Sequence, residues 1–169
     1  ASAMKHLVRK DASIIQLLTP AFDTSEQDPG YIKGYLPGIR ENGGQYTHAA
    51  AWFIIALARQ GRGNEALEMF ELINPINITR NAAGLDRYKG EPYVFCGDVY
   101  SNAQHLGRAG WSWYTGSSGW MYQAGLHEIL GVRIVNKHLL VDPCIPSAWE
   151  GFSVRLKHGQ GSIEVEVKN

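Results

Sequence analysis

A mainly helical fold is predicted, in which inner and outer helices pair as hairpins of an α/α barrel and a short antiparallel β segment follows. Three features of the sequence predict it. The run Ala49-Ala-Ala-Trp-Phe-Ile-Ile-Ala-Leu-Ala58 is apolar around its whole circumference, as a helix buried on every side must be. After Gly61-Arg-Gly63, residues Ala66, Met69, Phe70 and Ile73 recur at helical spacing while Glu65, Glu68 and Glu71 fall elsewhere, so a second helix is one-sided. A buried helix, a glycine turn and an amphipathic helix make an αα-hairpin whose first member lies inside. Beyond Gly131 the hydrophobic period changes to two, which is the period of strands. Residues 1–131 are therefore expected to form part of such a barrel, and residues 132–169 the start of a β-rich subdomain.

In chain order, residues 2–7 look helical without a start signal and precede the apolar run Ser13-Ile-Ile-Gln-Leu-Leu18, so the chain is expected to be a piece of a longer one. Over residues 19–44 prolines and glycines interrupt every periodic element, which predicts a long loop of the functional kind. Thr47 is the expected N-cap of the apolar helix, which runs to about Gln60 with Gly61 as its stop signal. Asn64 is the expected cap of the second helix, and residues 74–90 read as loop. Residues 120–130, closed by Gly131, form another largely apolar and hence inner helix. Short strands are expected at 132–135 and 139–141. Residues 152–158 should pair with 162–167 across Gly159-Gln-Gly161, one face packing and the other meeting water.

Composition excludes several classes of function. With 169 residues, 44% hydrophobic and 11% aromatic, the chain can fill a sizeable core and is not a disordered segment. Sixteen basic and sixteen acidic side chains cancel, so nothing draws it to nucleic acid or to an anionic membrane, and a small, locally recognised ligand fits better. The apolar run at 49–58 is too short to span a bilayer, and the amino terminus lacks a signal-peptide pattern. A cytoplasmic chain is expected. Cys96 and Cys144 lie far apart without metal-ligand spacing and read as buried free thiols of a reducing compartment. The six histidines never form a ligand pair, no phosphate loop or dinucleotide fingerprint is present, and no serine sits in a nucleophile elbow, so neither a metal nor an organic cofactor is expected.

Site chemistry gathers in Tyr35-Leu-Pro-Gly-Ile-Arg-Glu-Asn-Gly-Gly-Gln-Tyr-Thr-His48 and in Trp113-Tyr-Thr-Gly-Ser-Ser-Gly-Trp120, each leading into a helix. A helix start carries free N–H groups, so Thr115, Gly116 and the serines after them either hold an anion or simply cap the helix. His48, in the first helical turn, has the same two readings: pairing with an anion or satisfying a nearby carbonyl. Glu41 precedes Asn-Gly-Gly, which leaves little side-chain bulk to bury it for packing, so it is a candidate ligand carboxylate. Carboxylates beside aromatic rings suit sugars, which need acceptors for O–H and apolar surface for C–H faces. Tyr35, Tyr46, Trp111, Trp113 and Tyr114 are candidates for that surface, and Glu91 is a second candidate carboxylate.

Taken in order, Tyr35-x-Pro-Gly-Ile-Arg-Glu-Asn-Gly-Gly-x-Tyr-Thr-His48, Asn74-Pro75, Glu91-Pro-Tyr93, Trp113-Tyr-Thr-Gly-Ser117 and Val141-Asp-Pro-Cys-Ile-Pro146 resemble glycoside hydrolase family 94 over nearly the whole chain. That family holds cellobiose and chitobiose phosphorylases and the carboxy-terminal region of cyclic β-1,2-glucan synthetases, and the resemblance is greatest to the last. It implies an (α/α)6 barrel, of which residues 1–131 would be the carboxy-terminal portion, and inverting phosphorolysis, in which inorganic phosphate attacks the anomeric carbon while an aspartic acid protonates the leaving oxygen. Phosphate replaces the water and its general base, so one catalytic carboxylate suffices. By the resemblance His48, Thr115 and Gly116 match phosphate-contacting positions, and Tyr35, Arg40 and Glu41 match the leaving-sugar subsite. Arg40 stands where cellobiose-type members have lysine, and Cys96-Gly97 departs from their glutamine-containing segment, which favours a β-1,2-glucan.

The family's general acid belongs to an upstream motif that none of Asp11, Asp23, Asp28, Asp86, Asp98 or Asp142 matches, so no catalytic acid is expected here. The implied partners are a β-glucan oligosaccharide and inorganic phosphate or a sugar 1-phosphate, with phosphate a co-substrate. The alternative is a non-catalytic carbohydrate-binding fragment or module built from the same aromatic residues. Either piece, with its apolar helix uncovered on one flank, is expected to self-associate as a homo-oligomer or to persist as part of a larger chain.

Overall fold

A computed structural model describes residues 2–113 and 115–169; Tyr114, one of the candidate aromatic surfaces, lies outside them. Helix and small antiparallel sheets are mixed along the chain. Helix α1 (Ser2–His6) leads into strands β1 (Val8–Arg9) and β2 (Ile14–Ile15), which pair antiparallel. The expected long loop follows, relieved by one 3₁₀ turn at Gly30–Gly34. Strand β3 (Gln45–Tyr46) then runs directly into helix α2 (Thr47–Arg59) and pairs with the distant β4 (Asp98–Val99).

Helix α2 ends where the sequence places its stop signal. Gly61 takes φ +72°, and the Gly61 and Arg62 N–H groups donate to the carbonyls of Ala58 and Leu57, closing the last turn. The chain then reverses into α3 (Gly63–Leu72). Ala51, Ile54, Ala66 and Met69 are fully buried where the two helices meet, and Ile15, Met121, Ala124 and Ile129 complete that core. Each large aliphatic side chain so buried contributes about 1.5–3 kcal/mol. A second cluster, built on Ile14, Ile78, Tyr88, Cys96 and Val99, lies under β4, with the Tyr88 hydroxyl 3.2 Å from the Cys96 sulfur. Both cysteines are free, as expected, but only Cys96 is buried and Cys144 is half-buried.

Four expectations need correction. Helix α2 is not buried all round, because Trp52 is 52% exposed and Ala56 shares that open side. Thr47 is the first helical residue rather than the cap: its N–H donates to the Gly97 carbonyl at 2.9 Å and its hydroxyl accepts from Gln45 Nε2 at 3.2 Å. Asn64 caps nothing, since its Oδ1 accepts from the Ser147 N–H at 2.9 Å and ties α3 to the tail. Residues 74–90 are not a loop but carry α4 (Pro75–Ile78) and α5 (Ala82–Tyr88). Asn74 Oδ1 accepts from the Ile76 N–H and Asn81 Oδ1 from the Gly84 N–H, so both helices start on asparagine caps.

Helix α6 (Ser117–Gln123) begins three residues earlier than expected and widens into a π-helical turn over Ala124–Ile129, where the Leu130 N–H reaches back to the Gly125 carbonyl. The remaining strands follow the expected pattern. Strands β5 (Val132–Val135) and β6 (His138–Val141) form one hairpin, and β7 (Gly151–His158) and β8 (Gly161–Lys168) another, closed at the pair His158–Gly161. No helix among the described residues is long and apolar enough to cross a membrane.

Arg59 at the end of α2 grips Glu128 in the π turn with two hydrogen bonds of 2.9 and 2.8 Å, and Arg133 of β5 stands 3.8 Å from the same carboxylate. The Arg59 hydrogen bond holds the Glu128 carboxyl below its ordinary value against the opposing effect of burial. A carboxyl depressed on folding stabilises the fold above its unfolded pKa and loses that contribution as the pH falls below it. Because Arg59 is largely solvent-exposed, Glu128→Gln is expected to cost about 0.5–1 kcal/mol at neutral pH. Urea unfolding should show that difference shrinking once the pH drops below the ordinary glutamate value of 4.5.

Candidate functional site

Four stretches far apart in sequence converge on a cavity of about 430 Å³. The loop before β3 supplies Arg40 and Glu41, and the β3–α2 junction supplies Tyr46 and His48. Gly97 just before β4, Asp98 of β4 and Trp111 beyond it line the next stretch, while Thr115, Gly116 and Ser117 close the wall at the start of α6. Five of the six sequence candidates, His48, Thr115, Gly116, Arg40 and Glu41, thus line one cavity.

The loop is held from inside by Asn42, which is fully buried. Its Oδ1 accepts from the Phe22 N–H at 2.7 Å, and its Nδ2 donates to the carbonyls of Phe22 and Tyr35, each at 2.8 Å. Arg40, in the middle of this turn, has φ +46°, a left-handed conformation that costs a non-glycine residue of order 1–3 kcal/mol and persists only where its surroundings enforce it. Its guanidinium lies 5.8 Å from the Tyr35 ring centroid. Tyr35 does not line the cavity and stands behind Arg40.

His48 is oriented by aromatic contacts. Its ring stacks on Trp120 at 5.1 Å and meets the edge of Trp52 at 4.6 Å, so its direction is set by α2 and α6 together. Opposite it, the Ser117 hydroxyl is within 3.2 Å of the Phe95 and Cys96 carbonyls and 2.7 Å from the Thr115 hydroxyl. The Thr115 hydroxyl also reaches the Phe95 carbonyl at 3.4 Å, so its proton has acceptors within the protein and must turn from them to serve a ligand. The Gly116 N–H is the adjacent donor at the helix start, where no side chain caps.

Asp98 is the residue that sequence reasoning missed. It is 3% exposed, its Oδ1 accepts from the Trp111 N–H at 3.0 Å, and burial pushes its carboxyl above the usual aspartate range, with Arg40 opposing that rise. Among the described residues, three side-chain atoms around this cavity, Glu41 Oε2, His48 Nε2 and Asp98 Oδ2, are buried without a hydrogen-bond partner. Each such atom carries a desolvation cost of about 1–3 kcal/mol that a ligand with complementary groups would recover. The signal was a lone carboxylate in Phe95-Cys-Gly-Asp-Val99, a short apolar stretch that would otherwise have no reason to hold one. Glu91 lies off the cavity, its carboxyl held low first by its own backbone N–H and then by Ser112 and Trp113. Among the described residues no group of three metal-ligating side chains gathers.

Two carboxyl groups, a guanidinium, an imidazole and the rings of Tyr46 and Trp111 thus share one open cleft, as a site for polyhydroxylated and anionic ligands requires. The chain belongs to the glycosyl hydrolase 94 superfamily, whose catalytic-domain model matches residues 1–131. It is 46% identical over 156 residues to the cyclic beta-(1,2)-glucan synthase NdvB of Rhizobium meliloti, covering 92% of this chain and 6% of that protein. The N,N'-diacetylchitobiose phosphorylase of Vibrio furnissii is 36% identical over 92% of this chain and 19% of its own length. The 1,2-beta-oligoglucan phosphorylase of Listeria innocua is 30% identical over 70% of this chain and 12% of its own. The chain therefore spans a fifth or less of the length of these relatives.

Gly110 fixes how Asp98 presents itself. A Cβ on Gly110 would stand 2.6 Å from Asp98 Cγ, closer than real Cβ contacts allow, so only glycine lets the backbone pass the carboxyl. Gly110→Ala is expected to lower stability by about 1–3 kcal/mol as the carboxyl is forced aside, which thermal unfolding would read.

Proposed function

We propose that this chain is the part of an inverting glycoside phosphorylase or glucan synthase that holds inorganic phosphate and the leaving sugar, acting on β-1,2-linked glucans. The observation that carries the reading is the meeting of His48, Thr115 and Gly116 with Arg40 and Glu41 around one cavity. Two of the relatives carry β-1,2-glucans in their names, which supports the linkage.

In this reading phosphate lies between His48 Nε2 and the Thr115-Gly116 backbone. His48 donates to it when protonated at Nε2, and Thr115 turns its hydroxyl from Ser117 to do the same. A phosphate oxygen attacks the anomeric carbon, the bond to the leaving oxygen breaks, and an aspartic acid supplied by an upstream part of the parent protein delivers the proton to that oxygen. Glu41 accepts hydrogen bonds from the leaving sugar, and Arg40, braced by Tyr35, orients the sugar or Glu41 itself. Residues 1–131 are the end of an (α/α)6 barrel and residues 132–169 begin its β-rich neighbour. The open side of α2, with Trp52 and Ala56, is where further barrel helices or a second copy would pack. In this reading the region is cytoplasmic.

The test is release of sugar 1-phosphate from β-1,2-linked oligosaccharides by the parent protein. His48→Ala and Thr115→Val should each raise the KM for phosphate roughly 10- to 100-fold, the value of a hydrogen bond to a charged group, with little change for sugar. Phosphate dependence that survives both changes would favour a carbohydrate-binding module instead. Glu41→Gln should show the converse pattern in the synthetic direction: a weakened acceptor KM and an intact phosphate KM. The 169-residue chain alone should yield no detectable sugar 1-phosphate, since a positioned acid contributes roughly 10²–10⁴-fold and the rest of the cleft is elsewhere. Turnover near that of an intact phosphorylase would place the acid within this chain.

A further inference from the structure

Asp98 has no part in the phosphate and leaving-sugar assignments above, yet it is the most deeply buried carboxyl on the cavity wall. Its position is set by the backbone: β4 pairs it with Tyr46 of β3, and its own carbonyl accepts from the Gly110 N–H at 2.9 Å. The carboxyl is divided in use. Oδ1 accepts from the Trp111 N–H at 3.0 Å, and Oδ2 is buried with no partner among the described residues. The structural bond needs one oxygen only, which an asparagine would supply equally well. The second oxygen, enclosed and unpaired beside a cleft, carries a desolvation cost that packing alone does not justify.

The surroundings indicate what completes it. Arg40 and Glu41 are the charged groups acting on Asp98, which places it on their side of the cleft. A phosphate dianion is a poor partner for a carboxylate, because both are acceptors of like charge. A sugar hydroxyl is a good one, since it brings the proton, and Trp111 offers an apolar face beside the same carboxyl. We propose that Asp98 is a sugar-binding residue, its Oδ2 accepting a hydrogen bond from a hydroxyl of the leaving sugar engaged by Arg40 and Glu41. The proposal rests on the cleft being a sugar site, and it adds a third polar group that selects which hydroxyl pattern fits. Removing this acceptor leaves that hydroxyl unpaired, so discrimination against sugars lacking it follows.

The decisive variant is Asp98→Asn in the parent protein, which keeps size and the Oδ1 bond to Trp111 but replaces the Oδ2 acceptor by an N–H donor. Its thermal midpoint should stay close to that of the unaltered protein. The acceptor KM in the synthetic direction should rise about 10- to 100-fold with kcat and the phosphate KM little changed. Monodeoxy acceptor sugars give the second reading: one deoxy position should be costly for the unaltered protein and nearly neutral for Asp98→Asn, because the pair is already broken. Asp98→Ser serves the same comparison should the asparagine variant be unstable. An acceptor KM within twofold and an unchanged deoxy profile would make Asp98 purely structural. A fall in kcat at constant KM would assign it to proton transfer, and a shift confined to phosphate would place it in the other subsite; each overturns the proposal. Calorimetric titration with a β-1,2-linked disaccharide, without phosphate, separates this from the wider reading. Weakened binding by Asp98→Asn would uphold the assignment even in a parent that forms no sugar 1-phosphate, and undiminished binding would refute it even in an active phosphorylase.

Discussion

The loop that brings Arg40 and Glu41 to this site depends on one buried amide. Asn42 is surrounded by backbone on which it spends its donors and an acceptor: both Nδ2 hydrogens go to carbonyls, and Oδ1 takes the Phe22 N–H. Those bonds join residues 22, 35 and 42, so a loop rich in glycine and proline closes on itself as a fixed platform. An aspartate there would set a charge against two carbonyl oxygens, and an alanine would leave buried backbone groups unmet. The left-handed Arg40 and the half-buried Glu41 are held on that platform, and the strain at Arg40 is sustained by the hydrogen bonds around it.

A second constraint is the brief pairing of β3 with β4. Two residues a side are too few to be stable alone, but β3 runs without a break into α2, and the Thr47 N–H bonds to the Gly97 carbonyl. The best-buried helix of the chain is thereby tied to the strand that carries Asp98. His48 and Asp98 reach the same cleft because of this junction, and the π turn that ends α6 is anchored to α2 through Arg59 and Glu128. Packing energy collected in the apolar core thus holds unpaired polar atoms in the cleft against their own preference for water.

The expectations that failed did so for identifiable reasons. Thr47 and Asn64 are good capping residues by type, but each is engaged elsewhere, Thr47 by neighbouring Gln45 and distant Gly97 and Asn64 by distant Ser147. Residues 74–90 hid two short helices whose signals were present as Asn74-Pro75 and as Asn81 three places before Gly84; helices so short have too few apolar repeats to show a period. Helix α2 reads as apolar all round because alanine and tryptophan are apolar by type, whether or not anything covers them.

What the sequence determined by itself was written in local pattern: the glycine-turned α2–α3 hairpin, the change of period after Gly131, the β7–β8 hairpin and the two motifs that carry His48, Thr115, Gly116, Arg40 and Glu41. Such features depend on neighbours within a few positions, which is why they can be read without coordinates. Only the tertiary structure decided that the motifs share one cleft, that Tyr35 stands behind Arg40, and that Asp98 faces the same space with one oxygen unpaired. Burial and hydrogen-bond satisfaction are properties of atoms brought together from distant parts of the chain, and a one-dimensional pattern does not encode which of them meet.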